Sequence, residues 1–448
     1  MGNFPVDRSS KLSIICHSRS DDKLVKPHGL GEDDIMERKR VVITGLGPIT
    51  PIGAGKEKFW NGLIAGECGV DLVTRFDTSE CKTKIAAEIK DFDPQDYGID
   101  PKEAKRMDLF TQYGVAAALL AVIDSGLKLG DKHNDRVGTI IGTGIGGLMT
   151  LEEEKRKLVE SQNPSRVSPF LIPMLMPNAI NAYVSIKHKL SGSSPCPANA
   201  CATGSYALIY AAKDIALGDL DAVLAGGSEA VITQLAASSF ANMKALSRNN
   251  ENPKAACRPF DKNRSGFVIG EGAAVLVLEN LEHALERNAH IYCEIVGYAT
   301  NTDAFHITAP DPEARLVKKA ILDSLNMAGV KPTDVDYINA HGTSTKLNDQ
   351  AEAMAINEVF GDYRVPVSST KSMVGHLIGA AGSSEAIACA LSIEHQMIPP
   401  TINYETPDPE ADLNIVTKLT PAKVNVVMNN SFGFGGHNAV MVLRKYTG

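Results

Sequence analysis

The chain has 448 residues, 44% of them apolar and 22% charged, with a formal net charge of −8; that balance excludes a fibrous or disordered polymer, and the acidic excess argues against a nucleic-acid binder, which needs a basic field to neutralise phosphates. No apolar run is long enough to insert into a membrane. The eight cysteines, at positions 16, 68, 81, 196, 201, 257, 293 and 389, form no CxxC pair, so neither a zinc site nor a disulfide framework is expected, and a reducing compartment fits best.

In chain order, residues 1–37 are Ser-rich and mixed in charge without hydrophobic period, and read as a disordered N-terminal tail. Met36-Glu-Arg-Lys-Arg leads straight into the first strand, which makes Met36 an alternative start. The location expected is cytoplasmic, of bacterial type, or organellar if residues 1–35 serve as a transit segment. From Val41 short apolar runs alternate with helical stretches. Val41–Thr44 breaks at Gly45-Leu-Gly47, Val137–Ile141 at Gly142, and Ala222–Ala225 at Gly226-Gly227, while residues 273–278 hold no polar side chain. Such continuous runs suit strands covered on both faces. Helices are expected over 56–65, 108–125, 178–189 and 201–217. A second series begins near Ile291, with strands at 292–296, 335–338, 365–368, 424–428 and 438–443 and helices at 313–328, 349–359 and 381–395. In both series a glycine-containing turn opens a small-residue helix, and a strand runs into a glycine pair, Gly226-Gly227 or Gly435-Gly436. The reading is a duplicated α/β chain, with one half over 38–290 and the other over 291–448.

The most telling stretch is Pro195-Cys-Pro-Ala-Asn-Ala-Cys201-Ala-Thr-Gly-Ser205. Two prolines hold its start extended, and an Ala-rich helix follows, so Cys201 falls at a helix start, where the positive dipole end favours thiolate, the nucleophilic form. His341-Gly-Thr-Ser-Thr345 and Lys371-Ser-Met-Val-Gly-His376 each follow a strand, at the edge where open parallel sheets bind ligands. Asn430-Ser-Phe-Gly-Phe-Gly-Gly436 does the same, and its glycines leave backbone N–H groups open. One Cys, two His and one Lys can perform acyl chemistry. The thiolate attacks a thioester, backbone N–H groups hold the oxyanion, two neutral imidazoles donate to an enolate oxygen, and the cation steadies a carboxylate. No metal or cofactor is required.

Together these motifs resemble the β-ketoacyl-acyl-carrier-protein synthases, in the elongating branch with a Cys-His-His triad, and the likeness runs from about Lys39 to Leu443 through Arg258-Pro-Phe-Asp, Gly266–Gly272 and Thr302-Asp-Ala-Phe-His306. The resemblance implies a thiolase-like fold of five layers, α-β-α-β-α, assembled as a homodimer. It also implies decarboxylative condensation of malonyl-carrier protein with an acyl group on Cys201. By position, Cys201 is the acylated nucleophile, His341 and His376 promote decarboxylation, and Lys371 pairs with Glu352. The N–H groups of Cys201 and Phe434 form the oxyanion hole, Phe434 is also the gate, and Ile145 lines the end of the acyl pocket. Thr343 and Thr345 contact the phosphopantetheine arm. Lys102, Lys105, Arg106 and Lys244 match positions that dock the acidic acyl carrier protein, a local positive patch suited to steering such a partner.

Asn199, Lys346 and His437 depart from the family pattern where Thr, Pro and Thr are usual; none removes a reacting group. Gly142-Thr-Gly-Ile-Gly-Gly147 satisfies GxGxxG, but no acidic residue closes a second strand about twenty residues on, because Glu152–Glu154 comes too early and reads as helix, so pocket backbone is the better reading than dinucleotide binding. A thiolase acting on coenzyme A thioesters would need a second Cys near the C-terminus, and a non-catalytic partner subunit would lack the nucleophile; neither matches this chain.

Overall fold

The computed structural model describes residues 38–448, and the tail expected over 1–37, with its start at Met36 and its transit segment, lies outside the described residues. Nine principal strands carry the architecture: β1 (Val41–Thr50), β2 (Val137–Gly142), β3 (Ala222–Glu229), β4 (Gly272–Asn280), β5 (Cys293–Thr302), β6 (Tyr337–Asn339), β7 (Pro366–Ser368), β8 (Val426–Gly433) and β9 (His437–Arg444). Five helices pack on them: α1 (Leu109–Ser125), α2 (Thr203–Ala216), α3 (Arg315–Ala328), α4 (Lys346–Phe360) and α5 (Ala381–His395).

The strands fall into two groups built alike. In the first the order is β2-β3-β4-β1, with β2 parallel to β3 and the other neighbours antiparallel. In the second it is β6-β8-β9-β5, with β6 parallel to β8 and the other neighbours again antiparallel. The groups join edge to edge through β1 and β5, where Val42 faces Glu294 and Ile43 faces Cys293. Helix α1 covers one face of the first group, α3 with α4 beside it covers the far face of the second, and α2 and α5 pack together between them. This gives the expected five layers.

The middle helices can approach because of matched glycines. A Cβ on Gly204 would lie 2.7 Å from Ser383 N, and one on Gly382 would lie 2.3 Å from Ser205 Oγ. Both helices are therefore small-residue and almost wholly buried, a stripe that only close backbone packing can fill.

Glycines also account for the main departure from the sequence reading. The first and third strands do not break at Gly45–Gly47 or Gly226–Gly227: β1 continues to Thr50 and β3 to Glu229. At Gly47 a Cβ would sit 2.0 Å from Ala117 O, and at Gly227 2.2 Å from Gly379 O, so these residues are strand positions on which a neighbouring segment closes. Gly435-Gly436 does lie in a turn, the tight connection between β8 and β9, with φ of 83° and 73°. The segment carrying Glu152–Glu154 is helical, over Leu148–Ser161. No helix among the described residues is long and apolar enough to cross a membrane.

Candidate active site

Residues 195–199 hold no regular secondary structure and lead into a single 3-10 turn, Ala200–Ala202, and then α2. Cys201 is half-buried in that turn. Ala200 takes φ +49°, an uncommon conformation for a non-glycine residue that over-determined surroundings must hold. The β8–β9 hairpin supplies those surroundings: Gly433 approaches so closely that a Cβ there would lie 3.1 Å from both the Cys201 and the Ala202 nitrogens.

Cys201 opens onto a cavity of about 520 Å³ whose walls also include His341, His376, Phe434, Ile145, Thr343 and Thr345. The sulfur and both imidazoles thus share one space although they lie far apart in the chain. The two imidazoles stand edge to face with ring centres 5.4 Å apart. Burial, with the charge of Lys371 added, holds both His341 and His376 well below the ordinary histidine range, so they are neutral at pH 7. Hydrogen bonds assign their protons. Ile378 N–H donates to His376 Nδ1 at 3.3 Å, and the Lys371 ammonium donates to His341 Nδ1 at 3.3 Å. With Nδ1 accepting in each ring, the proton sits on Nε2.

Lys371 is buried, and its carboxylate partner is Glu385 on α5, not Glu352. Glu352 is equally buried but faces backbone and amide: it accepts from His341 N–H at 2.8 Å, Gly342 N–H at 2.7 Å and Asn430 Nδ2 at 3.1 Å. Glu352 projects from α4 onto the loop that carries His341, whereas α5 passes beneath the turn Lys371–Val374. Burial pushes Glu352 and Glu385 both up to about 7, opposed in the first by the Gly342 N–H and in the second by the Lys371 charge.

The helix start does not make Cys201 a resting thiolate. Burial pushes its thiol up to about 11, while Lys371 and the N–H groups of Phe434 and of Cys201 itself pull it down and Glu229 adds to the rise. The desolvation of sulfur outweighs the field of a single helix end. What the geometry preserves is the pair of N–H groups directed at the sulfur, which can equally receive an oxyanion formed on a thioester attached to it.

At the cavity mouth, Thr343 and Thr345 share a hydroxyl contact of 2.9 Å. Lys244 and Lys346 are exposed residues of the cavity wall, whereas Lys102, Lys105 and Arg106 lie on the exposed surface at and just beyond the short helix Pro101–Ala104 and line no part of it. Of the departures, Asn199 precedes the turn that carries Cys201 and its N–H donates to Thr203 Oγ1 at 2.8 Å, and His437 opens β9 edge-on to Tyr206. The GxGxxG stretch is occupied by protein: the N–H groups of Gly144 and Ile145 both donate to the carboxylate of Glu229.

Sequence reasoning missed Glu385 and Glu229. Each carried a signal, since Glu385 is the sole charge in the run 381–393 and Glu229 ends a strand with no other ionisable group.

The family models for the N-terminal and C-terminal domains of beta-ketoacyl synthase match residues 38–284 and 292–405. A curated protein of Synechocystis sp. named 3-oxoacyl-[acyl-carrier-protein] synthase 2 is 47% identical over 414 residues, which are 92% of this chain and 99% of the relative. A protein of the same name from Coxiella burnetii is 47% identical over 413 residues, with the same coverage of both chains. Among solved structures, the ishigamide ketosynthase/chain length factor superposes with a TM-score of 0.86 at 38% identity, covering 92% of this chain and 100% of that one. A type II PKS acyl-carrier protein in complex with its ketosynthase bound to the hexaketide gives 0.84 at 33% identity, covering 92% and 100%. A beta-ketoacyl synthase from Burkholderia phymatum gives 0.85 at 35%, covering 91% and 100%.

Proposed function

The chain belongs to the beta-ketoacyl synthase family, and from that premise we propose that it is a 3-oxoacyl-[acyl-carrier-protein] synthase that lengthens fatty acyl chains by two carbons. The observation that carries this is the meeting of Cys201 with two neutral, Nε2-protonated imidazoles in one cavity.

The reaction divides into two parts. In the first, the Cys201 sulfur attacks the carbonyl of an acyl thioester. The oxyanion lies between the N–H groups of Cys201 and Phe434, the bond to the carrier's sulfur breaks, and the proton lost by Cys201 leaves with the carrier thiol. In the second, malonyl-carrier protein enters with its thioester oxygen against the Nε2–H groups of His341 and His376. The bond to the carboxylate breaks, carbon dioxide departs, and the electron pair forms an enolate on that oxygen. The enolate carbon then attacks the acyl-Cys201 carbonyl, and the Cys201 sulfur leaves as a thiolate that takes up a proton from water, restoring the thiol as the β-ketoacyl product forms. Neutral donors suit this task, since an imidazolium would give up its proton to the enolate and quench the carbanion. Lys371 holds the His341 tautomer by its hydrogen bond, with Glu385 fixing the ammonium.

The same reading assigns the remaining positions. Ile145 bounds the acyl pocket, Phe434 gates it, and Thr343 and Thr345 meet the phosphopantetheine arm. Lys102, Lys105, Arg106 and Lys244 receive the acyl carrier protein. The division into halves over 38–290 and 291–448 agrees with the repeated strand order. A homodimer is supported by the exposed apolar side chains Ile145, Leu151, Val159, Phe170, Ile172 and Met176, which follow β2, the outermost strand at that end of the sheet.

The test is a pair of half-reactions with purified protein. Cys201→Ala abolishes acyl transfer from acyl-carrier protein yet still releases carbon dioxide from malonyl-carrier protein. A variant that continues to elongate overturns the nucleophile, and a series of acyl donors of graded length on the wild type reads the chain-length range.

A further inference from the structure

Glu229 is fully buried at the end of β3 and makes no ion pair among the described residues. Its carboxylate is satisfied by four donors. Thr143 Oγ1 lies at 2.9 Å, Gly144 N–H at 2.7 Å, Ile145 N–H at 3.3 Å and Gly379 N–H at 3.1 Å. The first three belong to the loop after β2, which forms the Ile145 wall of the cavity. The fourth belongs to the turn after His376. One carboxylate therefore ties together two segments that come from opposite halves of the chain.

The second segment repeats the nucleophile turn. Ala200–Ala202 precedes α2, and Ile378–Ala380 precedes α5; both are 3-10 turns, and both open on a residue at φ +49°. Counting from that residue, Cys201 in one corresponds to Gly379 in the other. The N–H of Cys201 points into the reaction space, whereas the N–H of Gly379 is spent on Glu229. A side chain at Gly379 has no room, because its Cβ would lie 2.4 Å from Gly144 N and 2.8 Å from Glu229 Oε2. An isoleucine at positive φ is strained, and Ile378 is held there with its N–H on His376 Nδ1, one residue before the N–H that Glu229 accepts.

We propose that Glu229 is a positioning residue for the condensation: its carboxylate clamps the acyl-pocket wall at Gly144–Ile145 to the Ile378–Gly379 turn, and so fixes the orientation of His376 and links it to the filling of the pocket. The inference rests on the function proposed above. Burial pushes Glu229 up to about 7 against the pull of its donors; neutral or charged, its oxygens accept most of these bonds. An amide keeps only one accepting oxygen, and its NH2 group cannot accept from the backbone N–H groups.

The experiment compares wild type, Glu229→Gln, Glu229→Asp and Thr143→Val in the two half-reactions, with active protein counted by titration of Cys201. In Glu229→Gln, loss of one or two of these buried bonds lowers kcat for malonyl-carrier decarboxylation by about tenfold or more, while its KM stays within about threefold. The same variant loses its discrimination among acyl donors of different length, because the Ile145 wall is released. Glu229→Asp recovers part of both effects, and Thr143→Val, which removes one donor and keeps the carboxylate, shows a smaller change in the same direction. The proposal is overturned if kcat per titrated Cys201 and the chain-length profile of Glu229→Gln match wild type, or if activity falls only with the folded fraction. Should Glu229→Gln not fold, Thr143→Val decides: unchanged kcat and profile overturn the clamp. Failure of wild type to condense in the same assay would instead overturn the enzyme assignment.

Discussion

Replacing Glu385 by Gln tests the electrostatic frame of the site, because it leaves Lys371 as a charged group with about 1% of its side chain exposed and no counter-ion in contact. Two charges in contact attract by roughly 4–6 kcal/mol at an effective dielectric of about 20, and breaking one partner of a buried pair costs about 3–5 kcal/mol. Glu352→Gln is the control, since Glu352 accepts from N–H groups and from Asn430 rather than from an ammonium. The assay is a double-mutant cycle with Lys371→Met, read by urea unfolding at pH 8, where Glu385, at about 7, is ionised. The Lys371–Glu385 coupling should reach about 3 kcal/mol, and the Lys371–Glu352 coupling should stay near or below about 0.5 kcal/mol. Decarboxylation should fall with the first cycle as well, because an ammonium that loses its anchor no longer holds His341 Nδ1. Equal couplings, or a larger one for Glu352, would refute the assignment of Glu385 as the partner of Lys371.

Three further outcomes are expected. Changing Lys102, Lys105 and Arg106 together to Glu should raise KM for carrier-bound substrates by about tenfold at low salt and leave kcat alone, with the difference shrinking as salt screens it; steady-state kinetics at two ionic strengths measures this, and unchanged KM removes the docking surface. Gly47→Ala should destabilise the fold by about 1–3 kcal/mol, because the added Cβ meets the Ala117 carbonyl at 2.0 Å across the β1–α1 contact; thermal unfolding reads it, and a neutral result would contradict that close approach. The third concerns pH. Glu352 has a folded value near 7, above the ordinary 4.5, so the stability it contributes is fully present below about 4.5 and is lost as pH rises through 7. Relative to Glu352→Gln, wild type should lose about 3 kcal/mol between these limits, and a pH-independent difference in urea unfolding would count against the shift.

Much of this protein is legible in its sequence because local chemistry and tertiary packing agree. The helix expected over 108–125 is observed over Leu109–Ser125, with Asp108 accepting from Phe110 N–H at its start and Gly126 in the left-handed region at its end. The candidate site was legible for a related reason: Cys201 falls where a helix is about to start, and the motifs carrying His341 and Lys371–His376 each follow a short strand, at the edge where a layered α/β chain opens. What was misread depends on contacts between segments distant in sequence. Gly47 and Gly227 look like stops from their own chain, yet the Ala117 and Gly379 carbonyls require glycine inside a strand. Glu352 and Glu385 are both buried acids on helices, and only the tertiary contact of α5 with Lys371 tells which one meets the ammonium. The height of the Cys201 thiol was hidden likewise, since a helix start is local but desolvation is set by everything packed around it.

The β8–β9 hairpin lies far beyond Cys201 in the chain, yet it supplies the two inner strands of the second half-sheet and the Phe434 N–H beside Cys201. On the proposed mechanism, a chain whose residues 426–444 have not yet folded between β6 and β5 lacks one of the two donors for a tetrahedral adduct. Acyl capture by Cys201 would on that mechanism demand the whole second half-sheet, not the first half alone.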